Sequence, residues 1–331
     1  MTELSRRRVL AGATALTAAA LAPAMMPAPA RAATPPTGKQ APGIYRHKVG
    51  DYEITVVTDG VRRFPLPDNF VANAKKDEVN AALEAAYLPK DQMAIFYNPL
   101  VVNTGSKLIV IDTGGGPGTY AQSKGDLGQF MTNFIAAGFD PKAVDTVIIS
   151  HFHSDHINGL ITADDKPAFP NAEVMVPAVE WTWVMDDANM AKGRPLDKTF
   201  LFEPARKVFG IIKDPRRYEW GKEIAPGITT LGTPGHTPGH TSFTIASGSA
   251  QLFHQVDITN NQHLYVRNPD WHFLFDIDPA LAVQTRRKVY DMVSVEKTRI
   301  SGFHWSFPSV GHIEKDGKGY RMVPDVWNPV I

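Results

Sequence analysis

Three histidines and an aspartate fall within six residues of this chain, in Ser150-His151-Phe152-His153-Ser154-Asp155-His156. Neutral imidazoles and a carboxylate at this density suit zinc and its neighbours, and a chain without cysteine has no thiolate to offer a metal. His151 and His153 stand two apart, so an extended strand end can point both the same way. Asp155 and His156 lie beyond a bend and can face a second cation. Two cations roughly 3.5–4 Å apart can share a water, lower its pKa to near 7 and polarise a carbonyl or phosphoryl oxygen. That chemistry needs no serine or cysteine nucleophile, and the chain shows no Gly-x-Ser-x-Gly elbow. A role-free surface cluster is the bland alternative. Against it stands the position, directly after the β-branched run Val144 to Ile149, which reads as a buried strand.

His-x-His-x-Asp-His resembles the signature of the metallo-β-lactamase superfamily. Further segments in the same order strengthen the resemblance: Thr233-Pro234-Gly235-His236-Thr237-Pro238-Gly239-His240, then Asp257 after the strand-like Gln251 to Val256, then His304 after Arg299 to Phe303. The likeness runs from about Gly43 to Val323. Three other stretches are similar to the branch that holds methyl parathion hydrolase and related lactonases and aryl esterases. These are Ala41 to Arg46, Val102 to Leu108 and Ser306 to Ile313, with Gly317 to Pro324 adding to them. One departure is Val256 before Asp257, where many relatives have glycine.

The resemblance implies an αββα sandwich and assigns His151, His153 and His236 to one metal, Asp155, His156 and His304 to the other, with Asp257 as the bridging and catalytic carboxylate. Two divalent ions per chain follow, with zinc the expected metal, and a bridging hydroxide as nucleophile. The expected substrates are small apolar lactones or aryl esters, with aryl phosphotriesters as further candidates. A glyoxalase-type thioester hydrolase shares these ligands, but the clustered basic residues that would hold a glutathione carboxylate are not evident. A non-catalytic metal-binding protein is the reading of another class, and seven ligands over two metals leave coordination open for water. Resemblance alone suggests a homodimer.

The elements that must position these groups are legible in outline. Tyr52 to Thr58 alternates into a strand, Ile95 to Val102 and Lys107 to Ile111 read as a hairpin, and Leu127, Phe130, Met131, Phe134 and Ile135 fall at helical spacing. Pro279 to Lys297 reads as a helix, and Arg299 to Phe303 as the strand that delivers His304. Strand pairs followed by strands alternating with helices suit two sheets covered by helices. Asp59 and Asp112 at strand ends could each orient a ligating histidine or cap a turn, and the sequence leaves both open. His240 reads as structural or supporting rather than ligating, and His254 as packing. Trp181, Trp183 and Phe200 lie in an aromatic-rich connection and are candidates for an apolar substrate wall, as packing residues equally are.

Ser5-Arg6-Arg7-Arg8-Val9-Leu10 resembles a twin-arginine export motif, and Ala30-Arg31-Ala32 offers a cleavage site. The expected organisation is a signal peptide over 1–32, an N-terminal arm over 33–50 and a hydrolase domain over 51–331. The mature protein is then periplasmic or secreted, with no membrane association after cleavage. Thirty-four basic residues balance 34 acidic ones, and no basic run follows the signal. Nucleic acid, whose binding depends on phosphate neutralisation, is not an expected partner.

Overall fold

Alternating burial along the apolar runs sets each strand between two environments. The computed structural model describes residues 37–38 and 40–331, and Ala41–Ile331 forms one compact unit. The expected signal peptide lies outside the described residues. β1 (Ile44–Val49) and β2 (Tyr52–Val57) pair antiparallel. The stretch expected as an arm thus supplies an edge strand, because its apolar positions find a partner one turn later. β3 (Gly60–Pro65) and β4 (Gln92–Tyr97) form a separate ribbon. β5 (Leu100–Asn103), β6 (Leu108–Ile111), β7 (Thr146–Ile148), β8 (Glu173–Pro177) and β9 (Arg216–Tyr218) complete the first seven-stranded sheet, in the order β1-β2-β5-β6-β7-β8-β9.

The second seven-stranded sheet runs in sequence order. It comprises β10 (Glu223–Ala225), β11 (Ile228–Gly232), β12 (Thr241–Ser247), β13 (Ala250–His254), β14 (Arg299–Ser301), β15 (Val310–Asp316) and β16 (Gly319–Pro324). Leu100, Val102, Ile109 and Ile111 share a core with Ile228, Phe243, Ile245 and Leu252, which is the seam between the sheets. Val101, Val110 and Val147 point the other way, onto Phe130, Phe134, Val208 and Phe209 of the covering helices. On the outer face of the second sheet, Phe253 and Ile300 pack with Val289, Tyr290 and Val293 of the helix Pro279–Glu296. Helix, sheet, sheet, helix is the expected αββα sandwich.

One expected hairpin resolves differently. β5 pairs with β6 as read from the sequence, but β4 leaves the sheet at Asn98-Pro99 and joins β3 instead. The Asn98 side chain there donates to the carbonyls of Phe303 and Trp305. The break ties this corner to the loop that carries His304. Among the described residues no helix is long and apolar enough to cross a membrane.

Candidate metal centre

Strand ends deliver every candidate ligand to one place. β7 runs into Ile149 and Ser150 and presents His151, and the helical turn Ser154–Ile157 carries Asp155 and His156. His236 comes from the turn between β11 and β12, Asp257 from the end of β13 and His304 from the end of β14. Three groups of potential ligand atoms gather within 4.8 Å: His151 with His153 and His236, His151 with His156 and Asp257, and Asp155 with His156 and His304. Asp257 Oδ2 lies centrally, 2.9 Å from His304 Nε2, 3.4 Å from His236 Nε2 and from His156 Nε2, and 3.9 Å from His151 Nε2. Asp155 Oδ2 reaches His304 Nε2 at 3.3 Å and His156 Nε2 at 3.6 Å.

The outer ring atoms decide what the inner ones can do. His156 Nδ1 donates to Asp112 Oδ2 at 2.8 Å, His236 Nδ1 to Asp276 Oδ1 at 2.9 Å, and His304 Nδ1 to the Phe96 carbonyl at 2.8 Å. Ser150 Oγ donates to Asp112 Oδ2 and is left to accept from His151 Nδ1 at 3.0 Å. Four imidazoles therefore spend their Nδ1 protons outward, and in the neutral ring each turns an Nε2 lone pair inward. His153 instead turns Nδ1 inward, 3.0 Å from His151 Nε2 and 2.9 Å from His236 Nε2. His156 Nε2 and Asp257 Oδ1 are buried without any hydrogen-bond partner. Converging lone pairs around a shared carboxylate, with orphaned buried acceptors among them, fit divalent cations and little else.

Charge within the cluster is divided accordingly. Burial, with neighbouring imidazoles adding to it, pushes His151 and His153 well below the ordinary histidine range. Burial also opposes protonation of His236, yet Asp257 and Asp276 outweigh it and hold the ring at about 9. His304 likewise rises to about 9 against burial, through Asp257 and Asp155. Burial resists ionisation of Asp155, but His156 and His304 bring it down to about 2.

Support for the ligands comes from groups that the sequence left open or gave no sign of. Asp112 orients His156 and bonds the Ser150 amide, so it is a supporting partner. Asp59 caps backbone instead, accepting from the amides of Gly115 and Phe130. His240 accepts the Asp257 amide on Nε2 at 3.1 Å and so holds the carboxylate's backbone. Val256, immediately before, has φ +55°, a conformation that suits glycine and strains a β-branched residue. Glu180 is fully buried and accepts from the Phe152 amide, Thr237 Oγ1 and the Gly239 amide at 2.8–3.1 Å. It fastens the His151–His153 loop to the His236 loop. Asp276 and Glu180 had no sequence signal, since each acts across the fold.

The aromatic candidates separate. Phe200 packs 5.6 Å from Phe275, which lies edge-on 6.5 Å from His153, and Phe273 stacks on His236 at 6.1 Å. Phe200 thus belongs to a ring system that reaches the cluster. Trp181 instead packs on Phe152 and Phe209 beneath the Arg217 guanidinium, and Trp183 packs on Phe202. Both are half-buried on the helix Ala178–Val184 and pack against the core beneath it, and the ring contact with the ligand histidines comes from Phe273 and Phe275.

Residues 95–302 match the family model of the metallo-beta-lactamase superfamily. The N-acyl homoserine lactonase AiiA of Bacillus thuringiensis subsp. kurstaki is 26% identical over 191 residues, which cover 57% of this chain and 63% of the lactonase. The match thus spans just under two thirds of that relative. The N-acyl homoserine lactonase AttM of Agrobacterium fabrum is 33% identical over 112 residues, covering 33% of this chain and 39% of its own. Among solved structures, the hydrolase AbOPH of the beta-lactamase superfamily superposes with a TM-score of 0.80 at 28% identity, covering 88% of this chain and 100% of that one. The dizinc quorum-quenching lactonase AidC, solved with a product, shares the fold with a TM-score of 0.80 at 24% identity, over 87% of this chain and 99% of its own.

Proposed function

We propose that this chain, which belongs to the metallo-β-lactamase superfamily and is a metal-dependent hydrolase, opens neutral lactones and aryl esters with two bound divalent ions, zinc being the expected metal. His151, His153 and His236 would hold one ion and Asp155, His156 and His304 the other, with Asp257 between them. The observation that carries the reading is the Asp257 carboxylate set among four imidazole nitrogens at 2.9–3.9 Å. Held there, such an ion pair supplies Lewis acidity toward an ester oxygen and a nucleophile from water near neutral pH. The protein's part is preorganisation. Asp112, Asp276, Ser150 and the Phe96 carbonyl fix ring orientations, and Glu180 fixes the spacing of two ligand loops.

Substrate preference is read from the wall. Phe200 and Phe275 offer half-buried rings beside the buried Phe273, favourable to an apolar acyl or aryl group at roughly 25 cal/mol per Å² buried. Nearby Arg194 is engaged bidentately by Asp197, and Arg286 is fully buried on backbone carbonyls. Neither is free to clamp a glutathione carboxylate. The lactonases among the relatives support lactones as the first class, and aryl phosphotriesters follow from the same oxygen-polarising site. The twin-arginine-like Ser5 to Leu10 supports export and action in the periplasm, which N-terminal sequencing of periplasmic protein would test.

The test is metal analysis with a substrate panel under one metal loading. Close to two divalent ions per chain are expected, with higher kcat/KM for an N-acyl homoserine lactone and an aryl acetate than for a glutathione thioester. An aryl phosphotriester should turn over at a lower rate. One ion or none after full remetallation would overturn the dinuclear site, and a clear thioester preference would overturn the substrate class. Size-exclusion with light scattering would check the homodimer that resemblance suggests.

A further inference from the structure

Five tyrosines are buried among the described residues: Tyr97, Tyr218, Tyr265, Tyr290 and Tyr320. A buried phenol normally finds a hydrogen-bond partner, because losing water without replacement is costly. Four of the five obey. Tyr218 donates to the Ile149 carbonyl at 2.8 Å, Tyr265 to the Phe70 carbonyl at 3.2 Å, Tyr290 to Gln255 Oε1 at 2.7 Å and Tyr320 to Asp291 Oδ1 at 2.7 Å. The hydroxyl of Tyr97 has no partner among the described residues. Nor is it among the buried polar atoms sealed from solvent, although the residue is only 6% exposed.

The ring adjoins the metal centre. The Tyr97 ring meets His304 edge-on with centroids 4.9 Å apart, and it is perpendicular to Phe303 at 6.1 Å. The charges of Asp155 and Asp257 both act on the phenol, and Asp155 is the ligand side chain with the largest exposure, at 22%. Neither carboxylate bonds it. The ring is held rigidly at the end of β4. Its carbonyl accepts from the Asp59 amide at 2.7 Å and from Thr58 Oγ1 at 3.1 Å. On either side, Phe96 accepts from His304, and Asn98 grips the Phe303 and Trp305 carbonyls. A fixed, unpartnered donor beside the open end of a site is a group preorganised for a ligand.

We propose that Tyr97 is a substrate-contacting residue whose hydroxyl donates a hydrogen bond to the carbonyl oxygen of the bound ester or lactone. The bond tightens as negative charge develops on that oxygen, so it contributes to turnover more than to binding. No proton is transferred; the phenol donates and keeps its hydrogen. The inference rests on the hydrolase reading above, and it identifies a group that orients the substrate from the chain's own side of the cluster.

Tyr97→Phe and Tyr97→Leu separate the hydroxyl from the ring. Wild type is first assayed on N-hexanoyl homoserine lactone, phenyl acetate and an aryl phosphotriester, and both variants are then compared on whichever of the two carboxylic esters turns over fastest. If phenyl acetate is cleaved and the lactone is not, the lactone preference fails while the Tyr97 test still reads out. Tyr97→Phe should lose roughly 100- to 1000-fold in kcat, with KM within about twofold and metal content and melting temperature unchanged. The loss should be the same for aryl acetates of differing leaving-group acidity, since the bond is to the carbonyl oxygen. Wild-type kcat in Tyr97→Phe, with damage confined to Tyr97→Leu, would show that the ring only packs against His304 and would overturn the proposal. A loss that grows with leaving-group pKa would also overturn it, by placing the bond on the departing oxygen.

Discussion

Asp257 sets its carboxylate among four imidazoles and rests its amide on His240, so two neighbouring residues act on one ligand in different ways. Asp257→Asn removes the negative charge at the centre of the cluster. It is expected to lose activity beyond the roughly 10- to 100-fold that loss of a supporting partner costs. His240→Ala should fall within that range and keep its metal, as kcat/KM and bound-metal analysis would report. Asp276→Asn is the matching test for His236. The amide oxygen still accepts the ring proton, but the charge behind it is gone, and zinc affinity by chelator competition should drop roughly 10-fold or more. Val256 shows the limit of residue-level reading. Its left-handed backbone is what a glycine would adopt freely, and the Asp257 carboxylate reaches the centre nonetheless because buried surroundings hold Val256 in place.

Loops rather than residues are coupled by Glu180, which receives three donors from two ligand-bearing segments. Glu180→Gln would point an amide N–H at one of those donors. A stability loss of roughly 2 kcal/mol is expected from the broken charged hydrogen bonds, read as a lower urea midpoint at unchanged m. Weaker metal retention should accompany it, since the His151–His153 loop and the His236 loop would no longer be held in register. At the other end of the first sheet, β1 carries His47, buried with neither ring nitrogen bonded. Burial, aided by the Arg299 charge, depresses its pKa to about 4. The unfolded chain takes up this proton near pH 6.5 and the folded one resists until about 4. Stability from β1 docking is therefore present above 6.5 and lost as pH falls through that window, by roughly 3 kcal/mol. His47→Leu should flatten the acid limb of a stability–pH profile between those values.

For the whole molecule, metal and fold are one equilibrium. The seven candidate ligands come from four separate stretches of chain, so ions bound to the native state stabilise it and have no comparable site in the unfolded chain. Chelation should lower the melting temperature, and remetallation should restore it. His236 and His304 hold protons up to about 9 in the metal-free protein, so metal uptake at pH 7.5 must displace them. Apparent affinity should then rise with pH toward 9. Calorimetry in two buffers of different ionisation enthalpy should show net proton release on metal binding. Equal heats in both buffers would contradict the charge distribution described here.

Local chemistry was legible in the sequence because its signals are local. Three histidines and an aspartate at a strand end, β-branched runs with period two, and a helix from Pro279 to Lys297 declare themselves without the fold. They suited two sheets covered by helices, and the αββα class and the ligand set followed once resemblance was added. Other features depend on which distant segments meet. The strand of Ile44–Val49 needed β2 as a partner, β4 was drawn away from β5 by the Asn98 corner, and Asp276, Glu180 and Tyr97 gained their roles across 40, 28 to 59 and some 200 residues of chain. An aromatic residue shows this most plainly. Trp181, Trp183 and Phe200 look alike along the chain, yet packing turns the two tryptophans onto the core beneath their own helix and leaves Phe200 among the rings that reach His153. Composition and spacing determine which groups a strand end can offer; only close packing of the whole chain decides which side of the sheet each ring faces and which buried atom is left without a partner.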